Sequence, residues 1–213
     1  ILGYCLHIGK GEPSSCVIHA YRHAICPKPK DSYNQNCVNE WPMYGVFEAI
    51  ACDGGAGYSS LQTISFLNTA GINATVVESY SGWKKPFIER FNNTVRTNFA
   101  QIIPSYCGHN KIAPQDKTIE QQASMTPEQF RALLELWIVD EYHQAPHSGI
   151  GNISPHQMWL RSFSDPTRGP LLPANYDLIR LPQGEQRFAT ISGTDCHQGV
   201  VINNVRYNDR DRK

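Results

Sequence analysis

The chain has 213 residues, 40% hydrophobic and 18% charged, with 19 Lys+Arg against 19 Asp+Glu. That length allows one domain or one plus a smaller module, and that composition excludes a disordered chain or a coiled coil. A formal net charge of +0 gives no global signature of a nucleic-acid partner, and no run approaches the ~20 apolar residues that span a bilayer. The seven cysteines, an odd number without CxxC pairs, read as free thiols in a reducing cytoplasm.

Ile1–Ile8 is short, apolar and closed by Gly9-Lys10-Gly11, which predicts a buried strand. Ser15–Cys26 carries a helical apolar period after the Glu12-Pro13-Ser14 start signal. A polar loop runs from Pro27 to about Asn39, and Val46–Cys52 predicts a second buried strand. Asp53 follows directly and opens a glycine-rich turn, Gly54 to Gly57. Ser59–Asn68 predicts a helix ending near Gly71, and Asn73–Glu78 a short strand. Phe87–Ile103 is strongly helical, with Ile88, Phe91, Val95, Phe99 and Ile102 on one stripe. Alternating strands and helices predict an α/β layer structure. Gly108–Ser124 is polar and reads as a linker. Beyond it, Thr126 suits an N-cap, Pro127 the first helical position and Gln129 a capping box. Phe130, Leu133, Leu134, Trp137, Ile138 and Tyr142 form the apolar face of that helix, and Ser154-Pro155 starts another through Trp159. From Leu171 onward three stretches read as strands of a small barrel or meander: 176–181, 187–192 and 199–207.

Two carboxylates are candidates for chemistry. Asp53 belongs at the C-terminal end of a strand, the edge that active sites in open α/β sheets favour, although Asp-Gly is also a common turn pair. Glu89 falls in the first turn of the strong helix, where an acid is also favoured by the helix dipole. Asn93 and Arg96 share its face at i+4 and i+7. Asp53 and Glu89 are separated by 35 residues.

Acid after strand, helix, short strand, Gly/Lys loop, then acid on a helix resembles the D,35,E half of the DDE transposase and retroviral integrase catalytic core. The segment 79–99 resembles the stretch around the family's catalytic Glu, and Cys52–Ser60 the stretch around its second Asp, with Gly54 in place of the usual Asn. Asp140–Trp159 is similar to a downstream element of these transposases, with Tyr142, His147, Ile150, Pro155 and Trp159 at its positions. Residues 187–207 resemble the start of the small β-barrel in Mu-type transposases and their TnsB-type relatives. The resemblance implies an RNase H-like mixed sheet with flanking helices over 1–108, a helical linker over 109–165 and a partial β-barrel over 166–213. An RNase H-like nuclease or a retroviral-type integrase would share the acids. A non-catalytic DNA-binding or assembly module of a decayed element is the alternative of another class.

The implied reaction is strand cleavage and transfer at transposon ends, an in-line displacement in which two divalent ions ~3.5–4 Å apart stabilise both attacking and leaving oxygens. Asp53 and Glu89 would be the catalytic and metal-binding acids, holding Mg²⁺ or Mn²⁺, hard cations that take oxygen ligands. The family's first Asp would lie upstream of Ile1, so the chain by itself is expected not to cleave or join DNA. Lys84, Lys85, Arg90 and Arg96 put four cations against one carboxylate between residues 84 and 96. With Asn93 they are the expected DNA contacts, holding phosphates without reading sequence. The resemblance further implies transposon-end and target DNA as partners, a homo-oligomer on DNA, an ATPase partner, no membrane and a bacterial, nucleoid-associated cytoplasmic setting. Cys16, His19, His23 and Cys26 have ligand chemistry for zinc, but structural zinc sites usually join separate segments, so they are read as one helix face. His143, His147 and His156 read as local structure.

Overall fold

The computed structural model describes residues 1–30, 36–52, 54–76, 86–103, 125–164, 169–180, 200–202 and 205–207. They fall into two compact units, residues 1–181 and 182–213.

The first unit opens on an extended segment, not on the expected strand. Among the described residues no strand pairs with residues 1–8. A strand exists by its neighbour's backbone, and here the polar atoms are met differently. The Tyr4 N–H donates to Nδ1 of His23 at 3.1 Å, and the Trp41 indole donates to the Ile1 carbonyl at 3.1 Å. Helix α1 (Ser14–Ile25) buries Val17, Ile18, Tyr21 and Ile25 at helical spacing. They meet Phe66, Leu67 and Ala70 of α2 (Leu61–Ala70), together with Ile72 and Ile179, in one core cluster. Ser60 caps α2 by accepting from the Thr63 N–H, and Gly71 ends it in the left-handed region at φ 73°.

Strand β1 (Ala49–Cys52) pairs in parallel with β2 (Asn73–Val76), register Ala49↔Asn73 to Cys52↔Val76. With α2 between them this is a βαβ unit, as the alternation predicts. The expected 46–52 strand is thus shortened at its start, where the Val46 N–H donates to the Leu171 carbonyl at 2.8 Å.

Helix α3 (Pro86–Asn98) ends in a 3-10 turn, Ala100–Ile102. Its stripe splits: Phe99 is buried and Val95 packs against the second core cluster, whereas Ile88 and Ile102 are exposed. Helix α4 (Pro127–Leu136) has the anticipated capping box between Thr126 and Gln129, with Pro127 at its start. It continues into a π-helical segment, Trp137–Tyr142, that buries Trp137, Ile138 and Val139 beside Cys37, Trp41 and Met43. A second capping box, Ser154 with Gln157, starts α5 (Pro155–Ser162). Stretch 176–181 corrects the strand expectation: Tyr176–Arg180 is a helix, α6. Its aromatic and β-branched residues suit a strand, but Tyr176 and Ile179 stand three apart, and Ile179 plugs the first core cluster at 1% exposure. The Arg22 guanidinium donates to the Ile179 carbonyl at 2.6 Å.

In the second unit, the single strand expected over 199–207 is instead two short ones, β3 (Val200–Ile202) and β4 (Val205–Tyr207), paired antiparallel with each other. The linker 108–124 and stretch 187–192 lie outside the described residues.

Candidate functional site

Helix α3 carries the candidate face. Glu89 stands in its first turn and is exposed, as are Arg90 and Asn93, while Arg96 in the last turn is half-buried. The Arg96 guanidinium donates to the Asn93 side-chain oxygen, so the i, i+3 pair is held together on the surface. The opposite side of α3 is anchored. Phe91 meets the Tyr142 ring edge-on at 5.5 Å, and Phe99 packs on Phe130 and Trp137, each at 5.5 Å. A helix fixed by its aromatic side presents a fixed polar side. The structure therefore brings Glu89, Arg90, Asn93 and Arg96 onto one element. Asp53, Lys84 and Lys85 lie outside the described residues.

The glycine turn that follows Asp53 in sequence is tied to α2 and α1. The Thr63 hydroxyl donates to the Gly57 carbonyl at 2.6 Å, the Ser60 hydroxyl to the same carbonyl at 3.1 Å, and the Ser59 hydroxyl to the Gly55 carbonyl at 3.1 Å. A Cβ on Gly57 would lie 2.3 Å from the Glu12 carbonyl oxygen, so only glycine fits there. The Gly55 and Gly57 carbonyls are thus tied to the start of α2.

The downstream transposase-like element is structural. Tyr142 packs edge-on to His147 at 4.8 Å, His147 pairs with Ile153 in an isolated bridge, Pro155 opens α5 and Trp159 packs on the second core cluster. His143 is fully buried against Trp41, and His23 is buried between Tyr4 and Trp41. Burial, with smaller contributions from nearby cations, brings both imidazoles down to about 3. His23 spends its Nδ1 on Tyr4, so the C-x2-H-x3-H-x2-C series is not assembled for a metal. Among the described residues no group of three or more His, Cys, Asp or Glu could hold one.

Two features have no signal along the chain. Lys28 is buried, donating to the carbonyls of Met43 at 2.9 Å and Cys26 at 3.3 Å, with the Trp41 ring 5.2 Å away. Burial brings its pKa down to about 7. Asp140 accepts from the backbone N–H of Val38 and of Asn39, both at 2.8 Å. Burial opposes its charge, yet these bonds hold its carboxyl below the usual value. Each joins residues far apart in sequence, where periodicity is silent.

Residues 1–105 match the family model of the TnsB C-terminal domain. Over that stretch, which contains both candidate acids and all five candidate DNA contacts, the chain is similar to TnsB-type transposases. No curated protein matches the chain. No helix among the described residues is long and apolar enough to cross a membrane.

Proposed function

We propose that this chain is the DNA-handling core of a TnsB-type transposase, in which α3 lays its polar face along a DNA backbone and Glu89 acts with Asp53 at the scissile phosphate. The observation that carries it is that face: an exposed carboxylate flanked by Arg90, Asn93 and Arg96 on a helix anchored from behind. Similarity of residues 1–105 to the TnsB C-terminal domain supports it independently.

Cations on an exposed helix surface suit phosphate oxygens, which are held without base readout. The exposed Glu89 carboxylate suits a hard divalent cation, and the βαβ unit ends β1 just before Asp53. Asp53 and Glu89 would hold Mg²⁺ or Mn²⁺, which supplies charge stabilisation to an in-line phosphoryl displacement when bound. Arg90 and Arg96 position the backbone, and Asn93, braced by Arg96, offers its amide to the same strand. RNase H-like layering of 1–108, a barrel beginning in the second unit, oligomerisation on DNA and an ATPase partner belong to this same reading.

DNA binding by the chain, measured against salt, tests it. Arg90→Ala and Arg96→Ala should each weaken affinity about equally for unrelated duplexes and reduce the log–log salt slope by ~1. Lys84→Ala with Lys85→Ala should flatten it further. An unchanged slope in all three variants removes the phosphate role. A non-catalytic assembly module is separated from this reading by metal: calorimetry would then register no Mn²⁺ uptake dependent on Asp53 and Glu89.

A further inference from the structure

A cleft of about 470 Å³ lies between α3 with its 3-10 turn and α4 with its π-helical end. Its floor is aromatic: the Trp137 ring stands 5.5 Å from Phe99 and 5.4 Å from Tyr142. Its walls are aliphatic side chains that the fold leaves in water. Ile102 is 73% exposed, and Leu133 and Leu136, one turn apart on α4, are exposed as well. Single apolar residues at a surface are ordinary, but three converging on one cleft from two elements form a patch. The core closes beneath them without their help, on Phe99 and Trp137. Little in the cleft can hold an extended peptide backbone. The Thr94 hydroxyl is spent on the Arg90 carbonyl at 3.0 Å, and a His147 ring nitrogen on the Tyr142 carbonyl at 3.2 Å. The bounding elements are helical, so their amides are paired within themselves and offer no strand edge. An occupant must therefore arrive with its backbone already satisfied, which a helix does. Its charge is set too. Among the described residues lining the cleft, Glu141 is the one carboxylate, and no Lys or Arg joins it. Glu141 is exposed and lies about two turns beyond Leu133.

We propose that this cleft docks an amphipathic helix of a partner protein: two turns of apolar side chains, with a Lys or Arg at the end that meets Glu141. Anchors at i, i+3 or i+4 and i+7 form one stripe on such a helix. They would sit between Ile102 on one wall and Leu133 and Leu136 on the other, over the aromatic floor. Burying those three exposed side chains supplies the attraction. The cation opposite Glu141 fixes which way the helix runs, as charge at an interface rim sets register more than affinity. Glu89, Arg90, Asn93 and Arg96 do not line the cleft, so the docked helix leaves the polar face of α3 open. The inference does not rest on the DNA reading of that face.

The test is fluorescence anisotropy of the full chain with two synthetic amphipathic helical peptides. Both carry the same leucine stripe; one has Lys at the end of the stripe and the other Glu. The Lys peptide should bind the wild-type chain at least ~3-fold more tightly than the Glu peptide, the scale of one exposed ion pair. Glu141→Lys should reverse that preference. Ile102→Asp and Leu133→Asp should each weaken the Lys peptide by ~10-fold or more, as loss of a buried anchor does. Equal binding of the two peptides, no binding by either, or a preference unmoved by Glu141→Lys overturns the proposal. So does sedimentation showing a dimer that Ile102→Asp dissolves and that excludes the Lys peptide, since the occupant is then a second copy. The wild-type comparison of the two peptides decides even if a variant does not fold.

Discussion

Glu89 is a single negative charge on a face otherwise cationic or neutral. If it serves a metal and not a helix dipole, Glu89→Gln should weaken Mn²⁺ uptake by the chain by at least ~10-fold. DNA affinity should hold or rise, because a charge that repels phosphate is gone. Calorimetry with Mn²⁺ and DNA-binding assays on the same variant separate the roles. His23 and His143 set a different dependence. Both are neutral in the folded protein down to about 3, whereas in the unfolded chain they take a proton near 6.5. Between those values the unfolded state binds more protons, so stability falls as pH drops from about 6.5 toward 3. By about pH 5 each histidine should cost ~2 kcal/mol, and urea unfolding at about pH 7.5 and pH 5 measures it. A flat response would contradict neutral burial.

Helix ends and glycine contacts carry their own expectations. Thr126→Ala and Ser154→Ala each remove the oxygen that accepts an orphan N–H, and each should cost ~1 kcal/mol. Gly57→Ala should cost more, ~1–3 kcal/mol, because backbone meets the new methyl and must shift. Thermal melts rank the three. The first capping box explains what was legible: Thr-Pro-Glu-Gln states its hydrogen bonds within four residues, while Ser154-Pro155 signalled a helix start without its box. The polar face of α3 was legible too, since i, i+4, i+7 spacing is helix geometry itself. Ile1–Ile8 and Tyr176–Arg180 were not. A strand needs a partner backbone, and a five-residue stretch with Tyr176, Leu178 and Ile179 among polar residues is decided by what must fill a core. Lys28 under Trp41 is likewise a tertiary fact.

The unit boundary at 181/182 makes a statement about the whole chain. Ile179, at 1% exposure, closes the core that α1 and α2 share, so α6 belongs structurally to the first unit. Ending the chain after Leu181 should leave the first unit's unfolding midpoint unchanged, while ending it after Leu172 should abolish cooperative unfolding. Ile179→Ala should cost ~2–5 kcal/mol by its cavity. Circular dichroism melts check all three. The neutral total charge also takes on meaning at this scale. A chain of net charge +0 can hold DNA only where its cations are gathered, and α3 is where the described residues gather them around an acid.

The π-helical turn after α4 makes chain length, not only chemistry, a constraint. Trp137 to Tyr142 advance by a wider turn than the α-helix before them. Deleting one residue there would restore ordinary winding and rotate everything beyond it by about 100°. Asp140 would leave the Val38 and Asn39 amides, Tyr142 would leave Phe91, and the brace behind α3 would be lost. The stretch thus works as a spacer of fixed count. It should accept many substitutions that keep its length and reject single insertions and deletions.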